Sequence, residues 1–410
     1  MTRRRLSDQA LLDRVQRETL RYFWEFGHPV SGMARERSAG RASYDLTETV
    51  TTGGTGFGVM AMIAGAERGF LPRRDVLARI ALIADFLAET PRYRGAFPHW
   101  LNGTTGQTIA FSPQDDGGDI VETAFLMMGL LTARTWVAGD DPALARRIDA
   151  LWRGVDWAGY CDGPDRLLWH WSPHHDRAAD LPIRGWHEGL VAYLLALASP
   201  THPIDPAAYT NGWQNSPTYR NGRVFRRVRL PLGPDYGGPL FFAHYSFLGL
   251  DPRGLRDGWT DYFAQNRAHA RIHLAHCRAN PGGFAGYGPA WGLTACDGPD
   301  HYDAFSPLND RGVIAPTAAL ASMPYLPGPA LAALRHYHED WGDRLWGDYG
   351  FLDSFCPTRD WVAPGHIAID QGPIVVMIEN YRSALLWRLF MAVPEIAPAL
   401  ARMGLTRHPT

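Results

Sequence analysis

Six apolar segments, each entered through a glycine-rich or polar stretch, alternate along the chain with more polar, one-sided segments. This alternation constrains the fold more than any other feature. The apolar segments begin at Thr51 ("TTGGTGFGVMAMIAGA"), Asp115, Arg184, Gly237, Arg311 and Asp370. Their apolar character runs round most of a helix, as in helices buried on all sides. The one-sided segments cover residues 7–26, 73–89, 141–157, a short stretch near Asp205, 258–280 and 329–346. Buried and half-polar helices in six alternations predict an all-α (α/α)6 toroid of six helical hairpins, with the apolar helices inside. A strand pair within 221–233 is expected as a small β insertion. No Ser/Gly-rich linker divides the chain, so residues 1–410 read as a single domain.

In such a ring the inner helices point their N-termini to one end, so their entry residues meet at a common mouth. These include Asp115, Asp116, Asp119 and Glu122, then Glu188, His244, Tyr245, Asp370 and Gln371. One Asp is enough to cap a helix and complement its dipole. Four carboxylates within "DDGGDIVE" exceed that need, so a site role is expected for at least one, Asp119 foremost. Burial and like charge would raise the pKa of one of them towards that of a proton donor. Glu188, in the otherwise apolar "GWHEGL", is either the partner of a buried Arg or a general acid. Asp370, shortly before Pro373, is either a helix cap or a catalytic group. Glu379 is expected to pair with Arg382 three residues on.

The remaining composition mainly excludes. With 40 Lys and Arg against 42 Asp and Glu, the chain offers no basic surface for nucleic acid or an anionic membrane. Its 15 Trp suit sugar rings as well as a large core. The start, "MTRRRLSDQALLDRVQ", lacks the continuous apolar stretch of an export signal, so a cytoplasmic location is the default expectation, with a periplasmic one if the start is truncated. No run is expected to be long and apolar enough to span a bilayer. Cys161, Cys277, Cys296 and Cys356 are scattered, and His269, His273 and His276 lack a companion ligand motif, so no metal site is expected. Neither a P-loop nor a dinucleotide fingerprint occurs, and no cofactor is expected. Trp169 and Trp171, in "WHWSPHHD", either line the mouth or pack in the core.

The strings "YFWEFGHPVSGMARERS", "TTGGTGFGVMAMIAGAERGF", "GPLFFAHYSFLGLDPR", "SPLNDRGVIAPTAALASMPY" and "IDQGPIVVMIENYRSALLW" lie in order over almost the whole chain. They resemble the glycoamylase-like domain, the group that contains glycoside hydrolase family 144. The resemblance implies an (α/α)6 barrel that hydrolyses β-1,2-glucan or sophoro-oligosaccharides with inversion, by internal cuts or by release of sophorose. It also implies Glu188 as general acid and Asp370 as the base that activates water, with Asp119 holding substrate or setting a pKa; the roles of Asp119 and Asp370 are open to exchange. Candidate sugar contacts are Trp24, Arg35, Trp100, Asp115, Trp186, Tyr245, Trp291, Gln371 and Tyr381. Two alternatives compete with hydrolysis on the same barrel. One is a non-catalytic glucan-binding protein; the other is a sugar epimerase using histidines as acid and base.

Overall fold

In the computed structural model, which describes residues 6–163, 165–177 and 180–408, the alternation becomes a ring of hairpins. The first pairs outer α1 (Asp8–Trp24) with inner α2 (Thr52–Glu67), the second α3 (Arg73–Glu89) with α4 (Ile120–Val137), and the third α5 (Pro142–Arg153) with α6 (Leu190–Ala198). In the fourth, α7 (Pro206–Ala208) runs into a π turn, and the inner element is two 3-10 segments, Leu240–Ala243 and Tyr245–Leu248. The fifth joins α8 (Tyr262–Ala279) to α9 (Pro316–Leu320). The sixth joins α10 (Pro327–Glu339) and α11 (Gly342–Leu345) to α12 (Ala368–Ser383). Helix α12 packs against α2 and closes the ring, while α13 (Leu385–Met391) and α14 (Ile396–Arg402) pack against α4 and α6.

The outer helices form as their patterns require. Ser7 accepts the Ala10 N–H at the start of α1, and Leu11, Leu12, Val15, Leu20 and Phe23 turn one face inward. Asp141 caps α5, with Pro142 in its first turn, where a missing N–H costs nothing. The inner helices are held by contact on every side. A Cβ on Gly56 of α2 would sit 2.2 Å from the Phe125 carbonyl oxygen of α4, and one on Gly129 would sit 2.1 Å from the Gly56 oxygen. The glycines of "TTGGTGFG" therefore let two backbones touch. One continuous apolar cluster runs from Leu11 to Leu405.

Three expectations need correction. The fourth and fifth inner helices are fragmentary. Gly237 and Gly238 adopt positive φ before Pro239, and His244 breaks the 3-10 run, so no long helix can build there. The last apolar segment is likewise not one helix, because Ala384 turns left-handed and separates α12 from α13. Finally, α4 is long and apolar enough to cross a membrane, contrary to expectation, but 89% of it is buried inside the ring. The hairpin Val224–Phe225 with Val228–Arg229 lies where the β insertion was expected. Short strands that were not expected tie the mouth together: Thr49–Thr51 pairs with Trp100–Asn102, and Gly118–Asp119 with His170–Trp171.

Candidate active site

The entries of α2, α4, α6 and α12 meet at a cavity of about 390 Å³. Glu36, Glu122 and Glu188 line it with Trp100, Trp169, Phe111, Tyr245 and Tyr302. Carboxyl groups thus share the hollow with aromatic faces, and Phe111 stays half exposed at the rim.

Asp119 is the hub of one side. It is the N-cap of α4, and its Oδ1 accepts the N–H groups of Val121 and Glu122, both at 2.9 Å. Its Oδ2 meets His99 Nδ1 and the Trp169 indole N–H, both at 3.2 Å. Capping and a site role therefore coincide in one residue, whose oxygens are all engaged. Burial works against a charged His99, but the carboxylates of Glu122, Asp119 and Asp115 outweigh it and raise its pKa to about 9. Burial pushes Glu122 up to about 7 against the pull of His99, and its Oε2 accepts the Gly53 N–H at 2.8 Å. Asp115 is pushed up to about 6 by burial and by Asp119, and its buried Oδ1 has no donor. Asp116 instead accepts from the Ser172 hydroxyl, so the four carboxylates divide into a cap, a loop anchor and two perturbed acids.

His99, Asp115 and Asp119 offer ligand atoms within 4.8 Å of one another. His99 Nδ1 is bound to Asp119, and the raised pKa of the imidazole makes the trio an ion-pair cluster.

Glu188 also lines the cavity, on the turn that enters α6. No Arg pairs with it among the described contacts, and its buried Oε2 lacks a hydrogen-bond partner. His187 Nδ1 lies 3.3 Å away and also receives the Gly189 N–H. A carboxyl in this setting is free to exchange a proton with whatever fills the cavity.

Asp370 lies in the first turn of α12, between the cavity-lining Ile367 and Ile369 on one side and Asp353 on the other. Ile367 is the N-cap of that helix, so capping does not occupy Asp370. The Tyr245 hydroxyl donates to Asp370 Oδ1 at 3.5 Å, linking it to the cavity wall, and Oδ2 has no donor. Burial and the neighbouring Asp353 raise its pKa well above the carboxylate range.

Of the other sequence candidates, Trp100 and Tyr245 reach the cavity, and Asp115 stands beside its His99 wall. Six do not line it. Trp24 lies under the Arg79 guanidinium. Trp186 is buried among Tyr219, Phe247 and Tyr262. Trp291 is buried and donates to the Pro329 carbonyl. Gln371 turns into the core and donates to the Phe351 carbonyl. Tyr381 is at the far end of α12 and faces a separate surface groove. Arg35 donates to the carbonyls of Phe26 and Thr47. The arginines at the cavity are Arg37 and Arg41, and Arg37 binds both oxygens of Asp297 and one of Glu36. Glu379 pairs with Arg68, not Arg382, because Arg382 is taken by Gln16 and Asp13. Trp171 packs against Arg94 and donates to Asp176. His269 and His273 are buried on the Gly238 carbonyl, and His276 on Asp310. Sequence reasoning missed His99, Glu36, Tyr302 and Asp353, none of which stands in a helix-entry pattern.

A helical ring with an acid-lined, aromatic-walled hollow at its mouth defines the helical-barrel class of proteins with a carboxyl-bearing cleft. Within that class the chain belongs to the Glycoamylase family, whose model, described as "Putative glucoamylase", matches residues 180–394. It is 41% identical, over 97% of its length, to an exo β-1,2-glucooligosaccharide sophorohydrolase (non-reducing end) of Parabacteroides distasonis; it spans 58% of the length of that curated relative. A crystal structure of a "putative glucoamylase" from Bacteroides uniformis is similar at 50% identity and a TM-score of 0.96, with 99% of each chain covered. An endo-β-1,2-glucanase from Chitinophaga pinensis, in complex with sophorotriose and glucose, is similar at 44% identity and a TM-score of 0.96, with 98% of this chain and 99% of that one covered.

Proposed function

We propose that the chain is an inverting glycoside hydrolase acting on β-1,2-glucosidic bonds of β-1,2-glucan or sophoro-oligosaccharides. The observation that carries this reading is the half-buried Glu188 carboxyl, which no Arg pairs among the described residues, in a cavity lined also by Tyr245 with Asp370 behind it. Glu188 is the general acid and gives its proton to the glycosidic oxygen as the C–O bond breaks. Asp370 is the base: it takes a proton from the water that attacks the anomeric carbon from the opposite face, so one displacement inverts the configuration. Asp119, with every oxygen committed, holds His99 and Trp169 in place. This favours Asp370 over Asp119 as the base. Trp100 and Phe111 offer flat faces for glucose rings. The names of the two β-1,2-glucan-acting relatives support the choice of linkage.

Anomer-resolved NMR of a digest of linear β-1,2-glucan tests the reading. The first product signals are expected from the α-anomer; β-anomer signals first, or no cleavage at all, would overturn it.

A further inference from the structure

Asp353 sits between the short strands Gly350–Phe351 and Phe355–Cys356 and is buried as completely as Asp370. Its Oδ2 accepts the Asp297 N–H at 2.7 Å, and its Oδ1 has no donor. Asp370 is its counterpart: Oδ1 is met by the Tyr245 hydroxyl, and Oδ2 has no donor. Contacts to the backbone bring the two together: the Asp353 N–H donates to the Gly365 carbonyl at 3.0 Å, just ahead of α12, and the Gln371 side-chain amide in its first turn donates to the Phe351 carbonyl at 3.1 Å, so that each buried carboxyl acts on the other. Two ionised carboxylates cannot face one another in a buried site without a donor between them. A single shared proton satisfies both orphaned oxygens and leaves one negative charge on the pair.

We infer that Asp353 is a positioning residue that shares one proton with Asp370, fixing the Asp370 carboxyl so that its Oδ1 faces the cavity through Tyr245. The inference rests on the proposed role of Asp370 as base. The groups around the pair are consistent with retention of that proton. Arg37 is the cation among the groups that act most strongly on the pair, and its guanidinium is already divided between Asp297 and Glu36. Tyr22, Tyr245, Tyr302 and Cys296, which also face the pair, are neutral near pH 7. Burial and Asp297 push Asp353 itself up to about 7. At neutral pH the pair can therefore hold one proton and still accept a second from water, which is what a base at this position must do.

Asp353→Asn supplies the test. The Asn oxygen replaces Oδ2 on the Asp297 N–H, and the Asn amide replaces Oδ1 as a permanent donor to Asp370. Asn is a neutral donor like protonated Asp353, so the acidic limb of kcat/KM on linear β-1,2-glucan is expected to stay where it is in the wild type, whereas Asp353→Ala, which leaves buried Asp370 without a donor, should move it about one pH unit higher. A limb that moves lower in Asp353→Asn would show that a charge had been removed and overturn the inference, as would a limb that Asp353→Ala leaves unmoved. A second measurement does not depend on activity or on the variant's folding into an active enzyme. Infrared difference spectra of the wild-type protein at pH 7 against Asp370→Asn should show the carbonyl band of a protonated carboxyl; its absence also overturns the inference. If the wild-type protein shows this band but cleaves no β-1,2-glucan, the assignment of function fails while the shared proton stands.

Discussion

At the residue scale, two carboxyl groups that look alike in sequence are separated by their surroundings. Asp119 has four partners and Glu188 has an oxygen with none. Glu188→Gln is therefore expected to keep its melting temperature and lose turnover by about 10²–10⁴-fold, the range for a general acid; near wild-type turnover would remove Glu188 from that role. Asp119→Ala should act the other way, lowering stability by about 1 kcal/mol for the lost cap, and more for the stranded His99 and Trp169 donors, as read by urea unfolding. His99 adds a pH dependence of known sign. Its folded pKa of about 9 lies above its unfolded value, so its stabilising contribution is complete below about 6.5 and lost as pH rises through 9. The melting-temperature gap between wild type and His99→Gln should close across that window; a gap that widens contradicts the His99–carboxylate cluster. Sequence made Asp119, Glu188 and Asp370 visible because helix entries are recognisable. It could not sort Trp100 from Trp24, Trp186 and Trp291, because a tryptophan serves a core and a sugar site with the same flat face. Asp353 was invisible for a different reason: its significance lies wholly in a neighbour 17 positions along the chain, brought close by strand pairs two residues long.

At the scale of elements, the alternation of apolar and one-sided segments identified every hairpin position, and α3 begins and ends where its pattern does. The failures came where glycine and proline outweighed apolar content, as in the broken fourth inner element. The glycine-rich entry of α2 had no phosphate to explain it; its role is the backbone contact with α4. Gly56→Ala, favourable for an isolated helix by about 1 kcal/mol, is here expected to destabilise by about 1–3 kcal/mol, since the added methyl meets the Phe125 carbonyl. Chemical denaturation that finds the variant more stable would show that the two helices can part without cost. Because α4 carries Glu122 and Asp119, the same substitution should also lower turnover.

For the whole molecule, the cavity adjoins a second hollow of about 250 Å³, with Arg37, Arg41 and Tyr302 bordering both. On the proposed function, this second hollow gives a glucan chain room beyond the cavity. Early digests of long β-1,2-glucan are accordingly expected to give a ladder of sizes; a single disaccharide from the first minutes would mean end-trimming instead. With a formal charge of only −2 and a neutral substrate, KM should be insensitive to salt between dilute buffer and physiological ionic strength.

A ring made from a linear chain has one seam, and here it runs between α2 and α12. Small residues let the two helices touch near the mouth, Gly54 against Ala368 and Gly372 against Phe57, and Arg68 grips Glu379 across 311 positions of sequence at the other end. Asp370 is on the later side of that seam. It cannot reach its station until the last inner helix has docked on the first, a step whose loop-closure entropy makes it slow compared with forming local hairpins. Helical signal should therefore return early when the denatured protein is diluted into buffer, and turnover should return late, so that activity clocks the closing of the ring.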